Sequence, residues 1–331
     1  MPESIAKLPL LAGLSLASLL VGLCAAPAAR AAGIDWASVP GKDVVLFYPG
    51  QSAWEWALTP DSMSGATKFM REGKSCVDCH DGEEKTMGDH LVSGKPRVFK
   101  DGTKPSIEPT PIAGKPGWIG ATVKFANDGT NLYVHLDVKT GNQPNAGQDA
   151  AADTKVTVMF SAAKTPDVLR AGCFAACHND MTGMPDANGA ARTHYLGATH
   201  AKLSLQGGGD ALKPDADLSK LKAANYFLED WQAKLNPGRP AQAASYVVFA
   251  KRDPATVPLT AQASYAGGIW SVTLSSKLAP GGGLIDFATG TTYAVSFAVH
   301  AGHTDGRFHY VSLEKTLVID SGNADFVAVK K

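Results

Sequence analysis

Four of the five cysteines stand in two close pairs, and each pair runs directly into a histidine. Cys76-Val77-Asp78-Cys79-His80 is a complete C-x-x-C-H, and Cys173-Phe174-Ala175-Ala176-Cys177-His178 carries one more residue between its cysteines. Covalent haem attachment needs this grammar. Two thiols reach the two vinyl groups of one porphyrin, and the adjacent histidine lies under the iron. Cys76, Cys79, Cys173 and Cys177 are therefore expected to anchor two haems c, with His80 and His178 as proximal iron ligands. In an oxidising compartment four cysteines ordinarily form two disulfides, but a disulfide requires no following histidine. A zinc ribbon would need a second such pair in tetrahedral geometry, and a thioredoxin-like pair would need a βαβ context. The second motif is the weaker signal. Its extra residue has to bulge out, and the competing disulfide would close a short, strained loop.

A six-coordinate electron-transfer haem needs a second axial ligand, usually His or Met. Apart from His80 and His178, seven histidines remain. On an expected strand over residues 309–318, His309 shares a face with Val311 and Leu313, while Phe308, Tyr310 and Ser312 point the other way. An imidazole on an apolar face needs a partner, because burying it alone is costly. Met181, Met184, His194 and His200 lie near the second motif and are alternatives. His300 and His303 could line a haem edge or face water. Near the first motif, His90 and Met87 are candidates, and Met70 reads as core.

The elements that must position these groups are mainly strands. Residues 44–48 read as a short strand, and 54–58 and 66–71 as short helices before the first motif. Residues 93–117 are rich in Gly, Pro, Lys and Ser and read as a linker, with a domain boundary near 105. Segments 121–126 and 132–138 flank Asn127-Asp128-Gly129-Thr130, a hairpin signal. Further strands are expected at 155–160, 246–250, 269–274 and 293–299. Many such strands with Gly-rich turns suggest a β-sandwich. Between Pro166 and Pro240 the β pattern stops, and a helical or irregular insertion with its best helix at 223–235 carries the second motif. The fold class is thus mainly β. A small, mostly α or irregular haem domain (32–105) precedes a β-sandwich haem-binding domain (106–331).

At the N-terminus a basic lead with Lys7, a largely apolar run over residues 8–23 and Ala29-Arg30-Ala31 give the pattern of a secretory signal peptide. The apolar run is short for a membrane span. Residues 1–31 are expected to be removed, which would make the product periplasmic without a transmembrane segment. The whole chain has 31 basic and 31 acidic residues, and loss of Glu3, Lys7 and Arg30 would leave a net charge of −1. That balance gives no hint of nucleic-acid binding.

Several segments carry a family resemblance. Residues 171–181, A-G-C-F-A-A-C-H-N-D-M, followed by Met184-Pro185, resemble the insertion in c-type members of one cytochrome family. That family holds the haem-binding gamma subunits of ethylbenzene dehydrogenase and related dimethyl-sulfoxide-reductase-type molybdoenzymes. Residues 293–313, Y-A-V-S-F-A-V-H-A-G-H-T-D-G-R-F-H-Y-V-S-L, resemble its C-terminal signature. Phe47–Ser52, Trp54–Trp56 and Gly65-Ala66 resemble the lead-in to the first haem of dihaem relatives. The resemblance implies the β-sandwich for residues 106–331, and it places His309 where b-type relatives put a lysine ligand. Together with the burial argument, this assigns His309 to the second iron. It also implies a histidine where this chain has Met63, so Met63 becomes the preferred distal ligand of the first haem. Ser276 departs from the pattern, which has arginine there.

With both irons fully ligated, no position is open to substrate, and the chain reads as an electron carrier rather than an enzyme. The expected role is transfer in an anaerobic or respiratory chain. By analogy alone, its redox partners would be a respiratory cytochrome or a periplasmic molybdoenzyme. The alternatives are a haem enzyme of peroxidase or nitrite-reducing type with one labile axial ligand, and a haem-based sensor.

Overall fold

The computed structural model describes residues 33–51, 72–95, 108–162, 166–178, 194–201, 211–256 and 258–331. The expected helices at 54–58 and 66–71, together with Met63, Met70, Met181 and Met184, lie outside these residues.

The chain is mainly β. Its strands are β1 (Gly41–Phe47), β2 (Trp118–Asn127), β3 (Asn131–Lys139), β4 (Thr154–Ser161), β5 (Ala176–His178), β6 (His194–Leu196), β7 (Leu228–Leu235) and β8 (Gln242–Val248). They continue with β9 (Arg252–Pro254), β10 (Thr260–Ala266), β11 (Ile269–Lys277), β12 (Thr292–Ala301), β13 (Tyr310–Val311), β14 (Lys315–Ile319) and β15 (Phe326–Lys330). The helices are short: α1 (Val77–His80), α2 (Glu84–Val92), α3 (Pro166–Ala171) and α4 (Asp215–Ala223). The expected β2–β3 hairpin forms. Gly129 supplies the positive φ of its turn (83°), and Asp128 accepts hydrogen bonds from the amides of Thr130 and Asn131.

Among the described residues, thirteen strands join one sheet in the order β10-β11-β3-β2-β1-β13-β12-β4-β7-β8-β9, with β14 and β15 linking β12 back to β2. Strands β1, β2, β15, β14, β12 and β13 thus form a closed circuit without edges, where two separate layers were expected of a sandwich. The fold-over is visible in the core. Phe125 on β2 and Phe160 on β4 are four strand positions apart, about 19 Å in a flat sheet, yet their ring centroids are 6.4 Å apart. Strand β1 pairs with β2 and β13, so the sheet draws on chain from both sides of the Pro-rich stretch.

Two expected elements differ. The helix expected over 223–235 does not form: α4 (Asp215–Ala223) ends where it was to begin, and Asn225 adopts φ 57° as a left-handed stop. The chain then continues as β7, paired on both sides with β4 and β8. Its alanine, glutamate and lysine favour a helix, but ladder bonds on both edges and burial of seven of its eight residues override that preference. The strand expected over 309–318 is broken between β13 and β14. There Ser312 replaces the ladder, its hydroxyl accepting from the Phe297 amide at 3.0 Å while its own amide donates to the Phe297 carbonyl. This break lets the chain change neighbours, from β1 beside β13 to β15 beside β14.

All eight residues of β4 are buried. Val156, Val158 and Phe160 face the main core, whereas Lys155, Thr157 and Met159 line a cavity on the opposite face. The segment bearing the second motif covers that face.

Candidate haem site

The first motif forms one helical turn. Cys76 and Cys79, three apart, fall on one side of it, and His80 follows. Cys76 is half-buried in an apolar cluster with Val77, Met87, Trp118 and Phe174, while Cys79 is exposed. Burial pushes the Cys76 thiol up to about 12, with help from the nearby Glu314 carboxylate. The His80 Nδ1 lies 3.0 Å from Glu83 Oε2, a contact that orients the ring.

The second motif is not helical. A 3-10 turn over Gly172–Ala175 passes directly into β5, which pairs with β6 so that Cys177 stands opposite Tyr195 and His178 opposite His194. The extra residue is absorbed by this change of conformation. Cys173 is buried and donates its S–H to Ser296 Oγ on β12 at 3.1 Å. Burial pushes its thiol up to about 12 as well. Neutral thiols in apolar surroundings are poor metal ligands, which speaks against a metal–thiolate site at these cysteines.

The cavity measures about 270 Å³ and opens to solvent, and Cys173, His178, His194, His300 and His309 all line it. His309 and Val311 face the cavity while Phe308 and Tyr310 enter the main core, which is the alternation expected from sequence. The His178 and His309 ring centroids are 6.2 Å apart and those of His178 and His194 5.1 Å apart, so these imidazoles are the ones in the cavity that would hold an iron. His300 stacks on His309 at 4.9 Å and 12°, with its Nε2 bonded to the Gly306 carbonyl, and burial holds it neutral.

Sequence reasoning missed the polar end of this cavity. Lys155, bonded to Asp149 and Asp305, and Arg252, bonded to the buried Asp230, also line it. Charged residues on a strand with no exposed face were the available signal. The remaining candidates sit elsewhere. His200 packs on Tyr195 and Thr199, and His303 Nδ1 bonds to the Asp149 carbonyl. His90 on α2 has a buried Nε2 with no hydrogen-bond partner among the described residues, and Met87 packs against both apolar clusters.

The two motifs, 97 residues apart between Cys76 and Cys173, meet in space. The Cys76 amide donates to the Arg170 carbonyl at 3.0 Å, the Arg170 Nε donates to the Lys74 carbonyl at 3.1 Å, and both cysteines belong to the same apolar cluster.

The chain is 32% identical over 309 residues to cytochrome c-552 of Stutzerimonas stutzeri, covering 92% of this chain and 93% of that protein. It belongs to the c-type cytochromes. The cytochrome is also 26% identical over 298 residues to cytochrome c-551 of Rhodocyclus tenuis, covering 90% and 99% of the two chains. No family model matches it. It is an electron-transfer haem protein with covalently bound haem c. Among the described residues, no helix is long and apolar enough to cross a membrane.

Proposed function

We propose that the cytochrome is an exported, periplasmic two-haem relay for single electrons. Cys76 and Cys79 hold one haem and Cys173 and Cys177 the other, with His80 and His178 as proximal ligands. His309 completes the second iron and Met63 the first. Once bound, each haem supplies one reversible iron oxidation step. The chain's own residues do the rest. The buried Cys173 and its cluster exclude water, Glu83 orients His80, and the His178–His309 pair leaves no open position for substrate. Residues 32–105 form the first haem segment, and residues 106–331 form a domain like the ethylbenzene dehydrogenase gamma subunit. The partners are a respiratory cytochrome or a periplasmic molybdoenzyme, in an anaerobic or respiratory chain.

The observation that carries this reading is the meeting of the two motifs through the Cys76–Arg170 bond inside one apolar cluster. Two haems anchored at these motifs would lie side by side, as an internal relay requires. Intact mass under denaturing conditions tests it and should exceed the mature polypeptide by two haem masses. One added haem would return Cys173 and Cys177 to the disulfide reading. The reduced spectrum should not change under carbon monoxide. A shift would indicate a weakly held ligand and favour the haem-enzyme alternative.

A further inference from the structure

Glu314 occupies the break between β13 and β14 and is only 6% exposed. Its Oε1 accepts the Val77 amide at 2.9 Å, so the carboxyl caps the turn that carries Cys76, Cys79 and His80. Its Oε2 is buried with no hydrogen-bond partner among the described residues. On its other side, its backbone lies against Gly172, where a Cβ would fall 3.1 Å from Glu314 Cα. A single acidic residue therefore touches the lead into both motifs.

We propose that Glu314 binds a proton from solvent when the first haem is reduced and releases it on reoxidation. This rests on haem attachment at Cys76 and Cys79 as proposed above. The balance is one electron and one proton. A one-electron redox protein supplies the electron, which takes the iron from ferric to ferrous, and water supplies the proton, which forms an O–H bond on Glu314. The loss of one positive charge at the iron is then matched by the loss of one negative charge beside it, so the buried region keeps its net charge.

The surroundings favour such a partner. Burial raises the carboxyl's proton affinity, and the Val77 amide, its own amide, the Ser75 hydroxyl and Lys315 offset this only in part. The charged and titratable groups facing it are Lys315 on its own segment and Cys76 on the first motif, and Arg170 on α3 in turn faces Cys76. Cys76 becomes a thioether on haem attachment and leaves the titration. The Ser75 hydroxyl also reaches the exposed Asp78 at 3.3 Å, which gives the proton a short way to water.

Potentiometry of the holoprotein from pH 5 to 9 tests the proposal, comparing wild type with Glu314→Gln, which retains an acceptor for Val77. In wild type one midpoint should fall with pH by up to tenfold in the reduction equilibrium per pH unit, equivalent to about 59 mV for one electron. In the variant that slope should vanish while the other haem is unchanged. A slope that persists in Glu314→Gln, or is missing from wild type, would overturn the proposal. Redox-difference infrared spectra of wild type supply a check that does not depend on the variant folding. A protonated-carboxyl band sensitive to heavy water should appear on reduction, and its absence would also overturn the proposal. Intact mass separates this from failure of the parent reading, which would show as a missing haem.

Discussion

Replacing Lys115 by methionine tests how much a buried charge beside Tyr310 of β13 costs the fold. Lys115 is 5% exposed, and its Nζ has no hydrogen-bond partner among the described residues. The amine sits 4.2 Å over the Tyr310 ring, next in sequence to His309, and 6.0 Å from the Tyr48 ring. Burial lowers its pKa from 10.5 to about 7. At about 1.4 kcal/mol per pH unit, that difference amounts to roughly 5 kcal/mol when the lysine is charged in both states. Lys115→Met should therefore be more stable than wild type by up to roughly 5 kcal/mol at pH 6 and below.

The sign of the pH dependence follows from proton counts. Between pH 7 and 10.5 the unfolded lysine keeps a proton that the folded one has released, so stability rises with pH across that window. Wild type should gain roughly 2 kcal/mol between pH 7 and 9, and the variant should gain almost none. Denaturant unfolding followed by far-ultraviolet circular dichroism at pH 6, 7.5 and 9 measures both. Readings stay below pH 10, because burial raises the Tyr48 and Tyr310 hydroxyls and their titration would reverse the slope. Equal slopes in the two proteins, or a variant no more stable than wild type at pH 6, would refute the reasoning.

His309→Ala should remove one ring of the 6.2 Å pair and leave one haem high-spin or open to carbon monoxide, with the other unchanged. An unchanged spectrum from a folded variant would move the ligand to His194, Met181 or Met184. Met63→His should abolish the weak methionine-to-iron band in the near infrared and lower one midpoint, because imidazole favours ferric iron more than a thioether does. If the band persists, Met87 takes the role; if wild type never shows it, His90 does. Gly172→Ala forces a side chain into φ 54° with backbone atoms 3.1 Å away. It should destabilise the protein by about 2–3 kcal/mol and reduce haem attachment at Cys173, read as a lower unfolding midpoint and a mixed intact mass.

The mainly-β class and most strand positions were legible because alternation survives wherever one face of a strand meets the core, as in β2, β3 and β11. Strand β7 was not legible. Its alternation is present, with Trp231, Ala233 and Leu235 on the core face and Asp230, Gln232 and Lys234 on the cavity face, but its helix-favouring residues mislead. The closure through β14 and β15 was hidden for another reason. It depends on where Ser312–Glu314 leave one neighbour for another, a property of pairing rather than of local composition. Both attachment motifs are local, since two thiols and a histidine that serve one porphyrin must be close along the chain. The chemistry of the cofactor is therefore written in a few consecutive residues. Tertiary structure alone decided that Cys76 meets Arg170, that His178 faces His309 from 131 residues away, and that Glu314 and Lys115 are buried beside them. Those relations arise from strands far apart in sequence packing onto one sheet, and no local pattern of residue types encodes them.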